Sequence, residues 1–190
     1  AAGRPARNLD TFLMGTAGVR RTFSRHAAGA GLAVVEGNRG LYDGVDAAGT
    51  HSTAELAKAL EAPVLLVVDA TKVTRTIAAS VFGCQAFDPD VRIAGVVLNR
   101  VHGVRHERII REAIESRCHV PVVGAVPRLG DTLLHGRHLG LVPPPEHPDT
   151  ADLGSRLVEQ VGSQLDMTAI VDLARRAPGV ARAPAPEHLV

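Results

Sequence analysis

Four apolar runs, separated by segments with helical spacing, restrict the fold of this sequence more than any other feature. The runs are 32–36, 63–69, 91–99 and 121–126. Continuous apolar runs of this length are typical of strands buried on both faces of a parallel sheet. Between them the sequence predicts helices at 53–61, 73–87 and 104–117. Strands that alternate with helices form parallel sheets through right-handed crossovers, so we expect an α/β fold with helices on both faces.

The first run ends at a carboxylate, and a glycine-rich loop follows it. Glu36 is followed within eight residues by three glycines and by Asp43. The carboxyl ends of parallel strands share one edge, where ligands bind, and glycines let a ligand approach the backbone. A carboxylate at such a position suits Mg²⁺, which prefers oxygen ligands. The plainer alternative is that Glu36 caps a helix and that Asp43-Gly44 is only a turn.

The other three runs also end at polar side chains, so the sequence predicts one polar edge of the sheet. Asp69 is a candidate ligand at this edge. The alternative is that Asp69-Ala70-Thr71 caps the next helix. Asn99 carries a donor and an acceptor, which suits reading the edge of a nucleobase, and its alternative is a buried amide in a turn. Arg128 can bind phosphate or carboxylate through two parallel hydrogen bonds.

A second polar cluster lies near the start of the chain and consists of Arg4, Arg7, Asn8 and Asp10. A solvated loop is the plainer interpretation, and Asn8 or Asp10 can cap a helix that runs to about His26 with one apolar face. Ser52 and Glu55 have the spacing of a capping box for helix 53–61. His135 and His138 have no third metal ligand near them, and Cys84 and Cys118 are interpreted as isolated thiols.

The bulk composition favours a globular domain in a reducing, cytoplasmic compartment. Of the 190 residues, 45% are hydrophobic and 22% are charged, and two isolated cysteines do not indicate a disulfide framework. The net charge of +1 gives no electrostatic reason to expect binding to nucleic acid or to membranes. No G-x-x-x-x-G-K-[ST] segment is present, so either a phosphate loop precedes residue 1 or the chain is not a nucleotide enzyme.

Six sequence blocks together resemble one enzyme family, cobyrinate (or hydrogenobyrinate) a,c-diamide synthase. The blocks are 3–10, 35–44, 52–57, 63–69, 87–101 and 137–141, in order along residues 3 to 146. The loop from Glu36 alone also resembles dethiobiotin synthetase, a relative with the same fold. The resemblance implies a P-loop NTPase-like three-layer fold whose first strand and phosphate loop are missing. It also implies that ATP and Mg²⁺ phosphorylate the a and c acetate carboxylates of a corrinoid in cobalamin biosynthesis, and that glutamine-derived ammonia then displaces phosphate.

The same resemblance assigns roles to particular residues. Glu36 matches the position that holds Mg²⁺, and Asp43 lies in the loop facing the reacting carboxylate. Asn99 matches the position that contacts adenine. Arg128, which can bind phosphate, is predicted to bind the same nucleotide. The corrinoid side is expected to contact Arg7, Asn8, Asp10 and Tyr42.

The chain also departs from the family pattern. The family's phosphate loop would precede residue 1, its glutaminase domain would follow the chain, and Asn38-Arg39 replaces an apolar pair. We therefore expect a partial synthetase domain at 1–148, a helical segment at 149–176 and a disordered Ala/Pro-rich tail at 177–190. Alone, this chain should neither bind ATP tightly nor hydrolyse glutamine, and an unpaired sheet edge can favour a homodimer.

Three other functional interpretations stay open at this point. They are a dethiobiotin-synthetase-like carboxylase, a partition-type or maturation-type ATPase that works by dimerisation, and a non-catalytic domain that binds a corrinoid or a partner.

Overall fold

The computed structural model describes residues 5–129, 136–137, 140–141 and 150–178. These residues form two compact units, a sheet unit and a loop unit. The sheet unit comprises the described residues of Leu65–Asp88 and Ile93–Ile170. The loop unit comprises the described residues of Gly3–Val64, Pro89–Arg92 and Val171–Val190.

A three-stranded parallel sheet forms the centre of the sheet unit. Its strands are β1 (Val64–Asp69), β2 (Ile93–Val101) and β3 (Val122–Pro127), in the order β1-β2-β3. Val96 pairs with Val122 and Asn99 with Val126, so β2 and β3 run in the same direction. The order and direction agree with the predicted α/β fold.

Two helices pack on this sheet, and their buried residues form an aliphatic core. They are α3 (Thr76–Phe87) and α4 (Val104–Cys118), within three residues of the predicted bounds at each end. Leu98, Ile110 and Ile114 are among the largest fully buried side chains, and burying each such side chain contributes about 1.5–3 kcal/mol. Glu107 and Arg111 form an ion pair of 2.7 Å one turn apart on α4, as their i,i+4 spacing favours.

The three strands differ in how deeply they are buried. Most side chains of β2 and β3 are buried, as continuous apolar runs predict. In β1, by contrast, half-buried and exposed residues alternate, and Leu65 and Val67 are exposed. The prediction that 63–69 is buried on both faces is therefore wrong. The reason is that one face of β1, with Leu66 and Val68, packs against the core, whereas Leu65 and Val67 lie on the opposite face, which is exposed in the described structure.

The free edge of β3 is covered by a short extended segment near the end of the described chain. Gly124 forms a single antiparallel bridge with Leu165. The amide of Ala125 donates to the carbonyl of Gln164, and the amide of Asp166 donates to the carbonyl of Val123. A Cβ at Gly124 would collide with the Leu165 side chain, so any other residue there would require that side chain to shift. This segment separates α5 (Thr150–Gly162) from α6 (Met167–Arg175), in the region predicted to be helical.

The loop unit contains two helices, α1 (Thr11–Ala27) and α2 (Thr53–Leu60), joined by a long irregular segment. The predicted strand at 32–36 is not formed, and residues 31–40 are all exposed. No backbone hydrogen bond described for these residues joins them to another strand. An apolar run becomes a strand only when a neighbouring strand accepts and donates its backbone hydrogen bonds.

Helix α1 begins as predicted at an acidic cap but does not present one apolar face. Asp10 accepts hydrogen bonds from the amides of Phe12 and Leu13, so Asp10 rather than Asn8 is the N-cap. Gly15 has a non-helical conformation with φ of 61° and breaks the helix near its start. Consequently Phe12 is 72% exposed while Val19 is fully buried, and the prediction of a single apolar face is wrong for the first turn.

Two short strands, β4 (Gly136–Arg137) and β5 (Gly140–Leu141), pair antiparallel within the stretch that was predicted to be a loop. The histidine pair His135 and His138 lies outside the described residues, as does the predicted disordered tail from Gly179 onward. Within the described residues, no helix has both the length and the apolar character needed to cross a membrane.

Candidate functional site

The glycine-rich loop after Glu36 folds back onto the first turn of α2 in the loop unit. The amide of Asp43 donates to the carbonyl of Gly40, which closes a tight turn. The amide of Ala54, in the first turn of α2, donates to the carbonyl of Leu41. The loop is thus held by its own backbone hydrogen bonds.

The three glycines of this loop let other parts of the chain pack closely against the loop backbone. A Cβ at Gly37 would lie 2.9 Å from the methyl carbon of Thr53, the first residue of α2. A Cβ at Gly40 would collide with the Asp43 carboxylate, and one at Gly44 would collide with the backbone of Gly49 and Thr50. The prediction that these glycines let a ligand approach the backbone is therefore not supported here, because the space beside them is occupied by the chain itself.

Glu36 and Asp43, the two predicted catalytic carboxylates, are both exposed at the surface of this loop. No hydrogen bond or ion pair is described for either side chain. The alternative that Glu36 caps the following helix is wrong, because Ser52 occupies that position and accepts from the amide of Glu55. Within the described structure the Glu36 carboxylate therefore has no partner, and its oxygens are available to bind a metal ion.

The predicted substrate-side residues are also in the loop unit. Arg7 and Asn8 are exposed, and Tyr42 is half-buried beside Asp43 in the chain. One oxygen of Asp10 is occupied by the helix cap described above, at 2.8 Å from the amide of Phe12. The structure thus gives Asp10 a definite structural role and leaves its role toward a substrate as a prediction.

His51 was missed by sequence reasoning, although it connects α1 to the loop before α2. Its Nδ1 lies 2.8 Å from the Thr11 hydroxyl, and its ring meets the Phe12 ring edge-on at a centroid distance of 5.5 Å. The backbone at His51 has a positive φ of 64°. A cavity of about 520 Å³ lies beside it, lined by Thr11, Gly15, Thr16, Ala48, Thr50, His51 and Glu55. Only a Gly-Thr-His turn signalled this contact in the sequence.

Asp46 holds the turn that leads to His51. Its carboxylate accepts hydrogen bonds from the amides of Thr50 and Ala48, at 3.0 and 3.1 Å. The Thr50 hydrogen bonds lower the pKa of Asp46 below its ordinary value of 3.8, and the nearby His51 adds a smaller effect in the same direction. These hydrogen bonds therefore favour the ionised form of Asp46.

In the sheet unit, both carboxylate oxygens of Asp69 form hydrogen bonds with neighbouring residues. One carboxylate oxygen accepts from the amide and the hydroxyl of Thr71, and the other lies 2.7 Å from a guanidinium nitrogen of Arg100. These hydrogen bonds, those from Thr71 first, lower the pKa of Asp69. The predicted helix cap is wrong, because α3 begins only at Thr76 and Asp69 caps a turn. Because both oxygens have partners, Asp69 is also a poor candidate for a metal ligand.

Asn99 and Arg128, the two predicted nucleotide-binding residues, lie at the ends of neighbouring strands. Asn99 pairs with Val126, and Arg128 is the first residue after β3. The Asn99 side chain is half-buried and has no hydrogen bond to any residue that the structure describes, whereas its carbonyl accepts from the amide of Ala70. The alternative of a buried turn amide is wrong, because Asn99 lies within β2. The structure therefore brings these two residues to one edge of the sheet.

Neither a protein-bound metal cluster nor a reactive thiol is found in the described part of the chain. No group of three or more His, Cys, Asp or Glu side chains that could hold a metal ion occurs there. Burial raises the pKa of both Cys84 and Cys118, which disfavours the thiolate form needed for nucleophilic attack. Cys84 and Cys118 are both free cysteines, in agreement with the prediction of isolated thiols.

The parallel sheet with helices around it and polar residues at its carboxyl edge is an α/β architecture of the nucleotide-binding type. The family model described as an AAA domain matches residues 12–133, and the chain belongs to this P-loop NTPase-like family.

Similar proteins identify a narrower group. The chain is 46% identical over 184 residues to cobyrinate a,c-diamide synthase of Magnetococcus marinus, covering 95% of this chain and 39% of that protein. It is 46% identical over 177 residues to hydrogenobyrinate a,c-diamide synthase of Streptomyces coelicolor, covering 92% of this chain and 36% of that protein. It is 42% identical over 179 residues to cobyrinate a,c-diamide synthase of Archaeoglobus fulgidus, covering 94% of this chain and 39% of that protein.

The resemblance stated from the sequence is thereby confirmed. The chain spans less than two fifths of the length of these three relatives. No solved structure matches it.

Proposed function

We propose that this chain is part of an ATP-dependent, glutamine-using amidoligase of cobalamin biosynthesis. In this proposal the a and c acetate carboxylates of cobyrinate or hydrogenobyrinate become amides. The observation that supports it most is the identity of 42–46% to three synthases of that name over more than nine tenths of the chain. The protein would work in the cytoplasm, where ATP and glutamine are available.

The chemistry requires activation of an unreactive group. A carboxylate is a poor acyl donor because its oxygen does not leave, whereas an acyl phosphate loses phosphate readily. In the proposed sequence the carboxylate oxygen attacks the γ-phosphorus of ATP, ADP leaves, and ammonia from glutamine then displaces phosphate to give the amide. Phosphoryl transfer of this kind depends on positioning and on neutralising charge.

The exposed loop carboxylates, Glu36 and Asp43, would act where the phosphate and the substrate carboxylate react. Mg²⁺ is commonly held by only one or two protein carboxylates together with water and substrate phosphates. Glu36 fits this requirement, because it is an exposed oxygen donor without a described partner. When bound, Mg²⁺ would neutralise phosphate charge. Asp43 is proposed to face the reacting carboxylate, with Arg7, Asn8, Asp10 and Tyr42 on the corrinoid side.

Asn99 and Arg128 would serve the nucleotide. Adenine presents a donor and an acceptor on one edge, and an asparagine amide can satisfy both. The free side chain of Asn99 at the end of β2 supports this role. Arg128 is exposed beyond the neighbouring strand and can pair with a phosphate through two hydrogen bonds.

The test uses the complete protein to which this chain belongs, incubated with cobyrinate or hydrogenobyrinate, ATP, Mg²⁺ and glutamine. We expect a diamide product by mass spectrometry and release of inorganic phosphate. Glu36→Gln should abolish both, whereas Glu112→Gln, an exposed glutamate on α4 without a described partner, should leave both unchanged. A folded complete protein that consumes no ATP with either corrinoid would refute the proposal.

One observation favours a second function for the 190-residue chain on its own. These residues contain no G-x-x-x-x-G-K-[ST] segment, so we propose that the isolated chain is catalytically incomplete and at most binds a corrinoid or a partner. Titration of the chain with hydrogenobyrinate, followed by absorbance, tests binding. Measurable ATP-dependent amidation by the purified chain would contradict this statement, and size measurement would test the predicted homodimer.

A further inference from the structure

An irregularity in β2 lies directly after Asn99. Asn99 pairs with Val126 and Val101 with Pro127, so Arg100 is an extra residue that has no partner on β3. Arg100 has a φ of 60°, in the left-handed region that non-glycine residues adopt only at a cost in free energy. A bulge of this kind changes the direction of a neighbouring side chain and is common beside binding sites.

The Arg100 side chain is held on the opposite side of the strand pair, at the end of β1. Its guanidinium lies 2.7 Å from Asp69, whose second oxygen is held by the amide and the hydroxyl of Thr71. The amide of Ala70 also donates to the carbonyl of Asn99 at 2.8 Å. The backbone just before the bulge and the side chain of the bulged residue Arg100 therefore both bond to the end of β1.

Stability alone is a weak explanation for this arrangement. The side chains of Arg100 and Asp69 are 57% and 51% exposed, and exposed ion pairs contribute little to the free energy of unfolding. An ion pair that adds little stability but holds a strained backbone is better explained by a role in orienting a neighbouring side chain. The Asn99 side chain, on the residue directly before Arg100, is without a described partner.

We infer that Arg100 is a positioning residue: its ion pair with Asp69 keeps the bulge in β2 and so directs the Asn99 amide toward the base of the nucleotide. This inference rests on the proposed function, in which Asn99 contacts adenine. Arg100 acts through Asn99 and need not touch the nucleotide. The pair therefore sets the preference for adenine over guanine and leaves the phosphoryl transfer itself unaffected.

The test measures nucleotide selectivity in the complete protein. Arg100→Gly removes the ion pair, while glycine tolerates the left-handed backbone at no steric cost. Asp69→Asn keeps its one oxygen for Thr71 and turns an uncharged NH2 group toward Arg100, which removes the ion pair. Both should raise the KM for ATP and the Kd of ATP by about three- to tenfold, the range of one hydrogen bond. The preference for ATP over GTP should fall in parallel, with kcat nearly unchanged.

The double variant Asn99→Ala/Arg100→Gly separates positioning from a direct role. If Arg100 acts through Asn99, the double variant binds ATP no more weakly than Asn99→Ala alone. Arg108→Ala removes an exposed arginine of α4 without a described partner and should change nothing.

Two outcomes would overturn the inference: additive effects of Asn99→Ala and Arg100→Gly, or unchanged ATP-over-GTP selectivity in both Arg100→Gly and Asp69→Asn. Nucleotide affinity is measured by calorimetry without a corrinoid, so selective ATP binding without amidation would refute the proposed function and not this inference.

Discussion

Ser52, at the start of α2, offers a sharp test of how the glycine-rich loop is held. Its side chain is only 3% exposed, and its hydroxyl accepts a hydrogen bond of 3.3 Å from the amide of Glu55. Helix α2 has eight residues, a length at which a helix has little stability of its own. Removal of the hydroxyl in Ser52→Ala leaves the Glu55 amide without its cap, and we expect a loss of about 1–2 kcal/mol in the free energy of unfolding.

The assay is thermal unfolding followed by circular dichroism. For a chain of this size a loss of about 1–2 kcal/mol lowers Tm by roughly 2–8 °C. Exchange of the Glu55 amide hydrogen, measured by NMR, reports the cap locally and should become faster. Ser80→Ala is the matched control, because the Ser80 hydroxyl is exposed and makes only a 3.5 Å contact to the Thr76 carbonyl within α3. A Tm for Ser52→Ala equal to that of Ser80→Ala, with unchanged Glu55 exchange, would refute the reasoning.

The same region shows that only half of the predicted capping box is formed. The Ser52 amide donates to the carbonyl of Gly49 rather than to the Glu55 side chain. The Glu55 carboxylate instead pairs with Lys58 at 2.7 Å. The stabilising contribution at this helix start is therefore assigned to the Ser52 hydroxyl.

Three further predictions concern the packing, the charge and the hydrogen bonding of other loops. Gly44→Ala forces a Cβ into the backbone of Gly49 and Thr50 and should cost about 1–3 kcal/mol in urea denaturation. Gly83→Ala, in open space on α3, should stabilise the protein slightly, and equal effects of the two would contradict the packing argument. Asp46→Asn should destabilise the protein near neutral pH. Because the folded-state pKa of Asp46 is lowered, the difference from wild type should disappear as the pH falls through that pKa, and a difference that is constant with pH would argue against it. His106 accepts from the His102 amide through Nδ1 and contacts the Val73 carbonyl through Nε2, so His106→Ala should cost about 1–2 kcal/mol of unfolding free energy. His106→Asn and His106→Gln should each retain one bond and fall between, and a His106→Ala variant as stable as wild type in urea would contradict this.

The sheet and its polar edge were largely predictable, because they follow from local pattern. Continuous apolar runs define β2 and β3, and their polar ends, Asn99 and Arg128, meet because parallel strands end at one edge. The Asp10 cap also follows from local residue chemistry. Such features need only neighbouring residues in the sequence or the general geometry of a parallel sheet.

Other features depend on partners that are distant in sequence. The run at 32–36 has strand composition but no described neighbour to pair with, so no strand forms. The 164–166 segment covers β3, although its spacing had predicted helix. The glycines at 37, 40 and 44 were correctly singled out, but only the folded chain shows that they admit Thr53, Asp43 and the 49–50 backbone.

The sequence by itself determined the class of fold, the family and the residue types at the sheet edge, because hydrophobic spacing and motif order are properties of the chain alone. Only the tertiary structure decided which of the predicted polar site residues are free. Asp69 is taken by Thr71 and Arg100, whereas Glu36 and Asn99 keep unpartnered side chains among the described residues. The physical reason is that Arg100 is distant from Asp69 in sequence. Pairing between β1 and β2 brings the two side chains together, and no periodicity in the sequence records that contact.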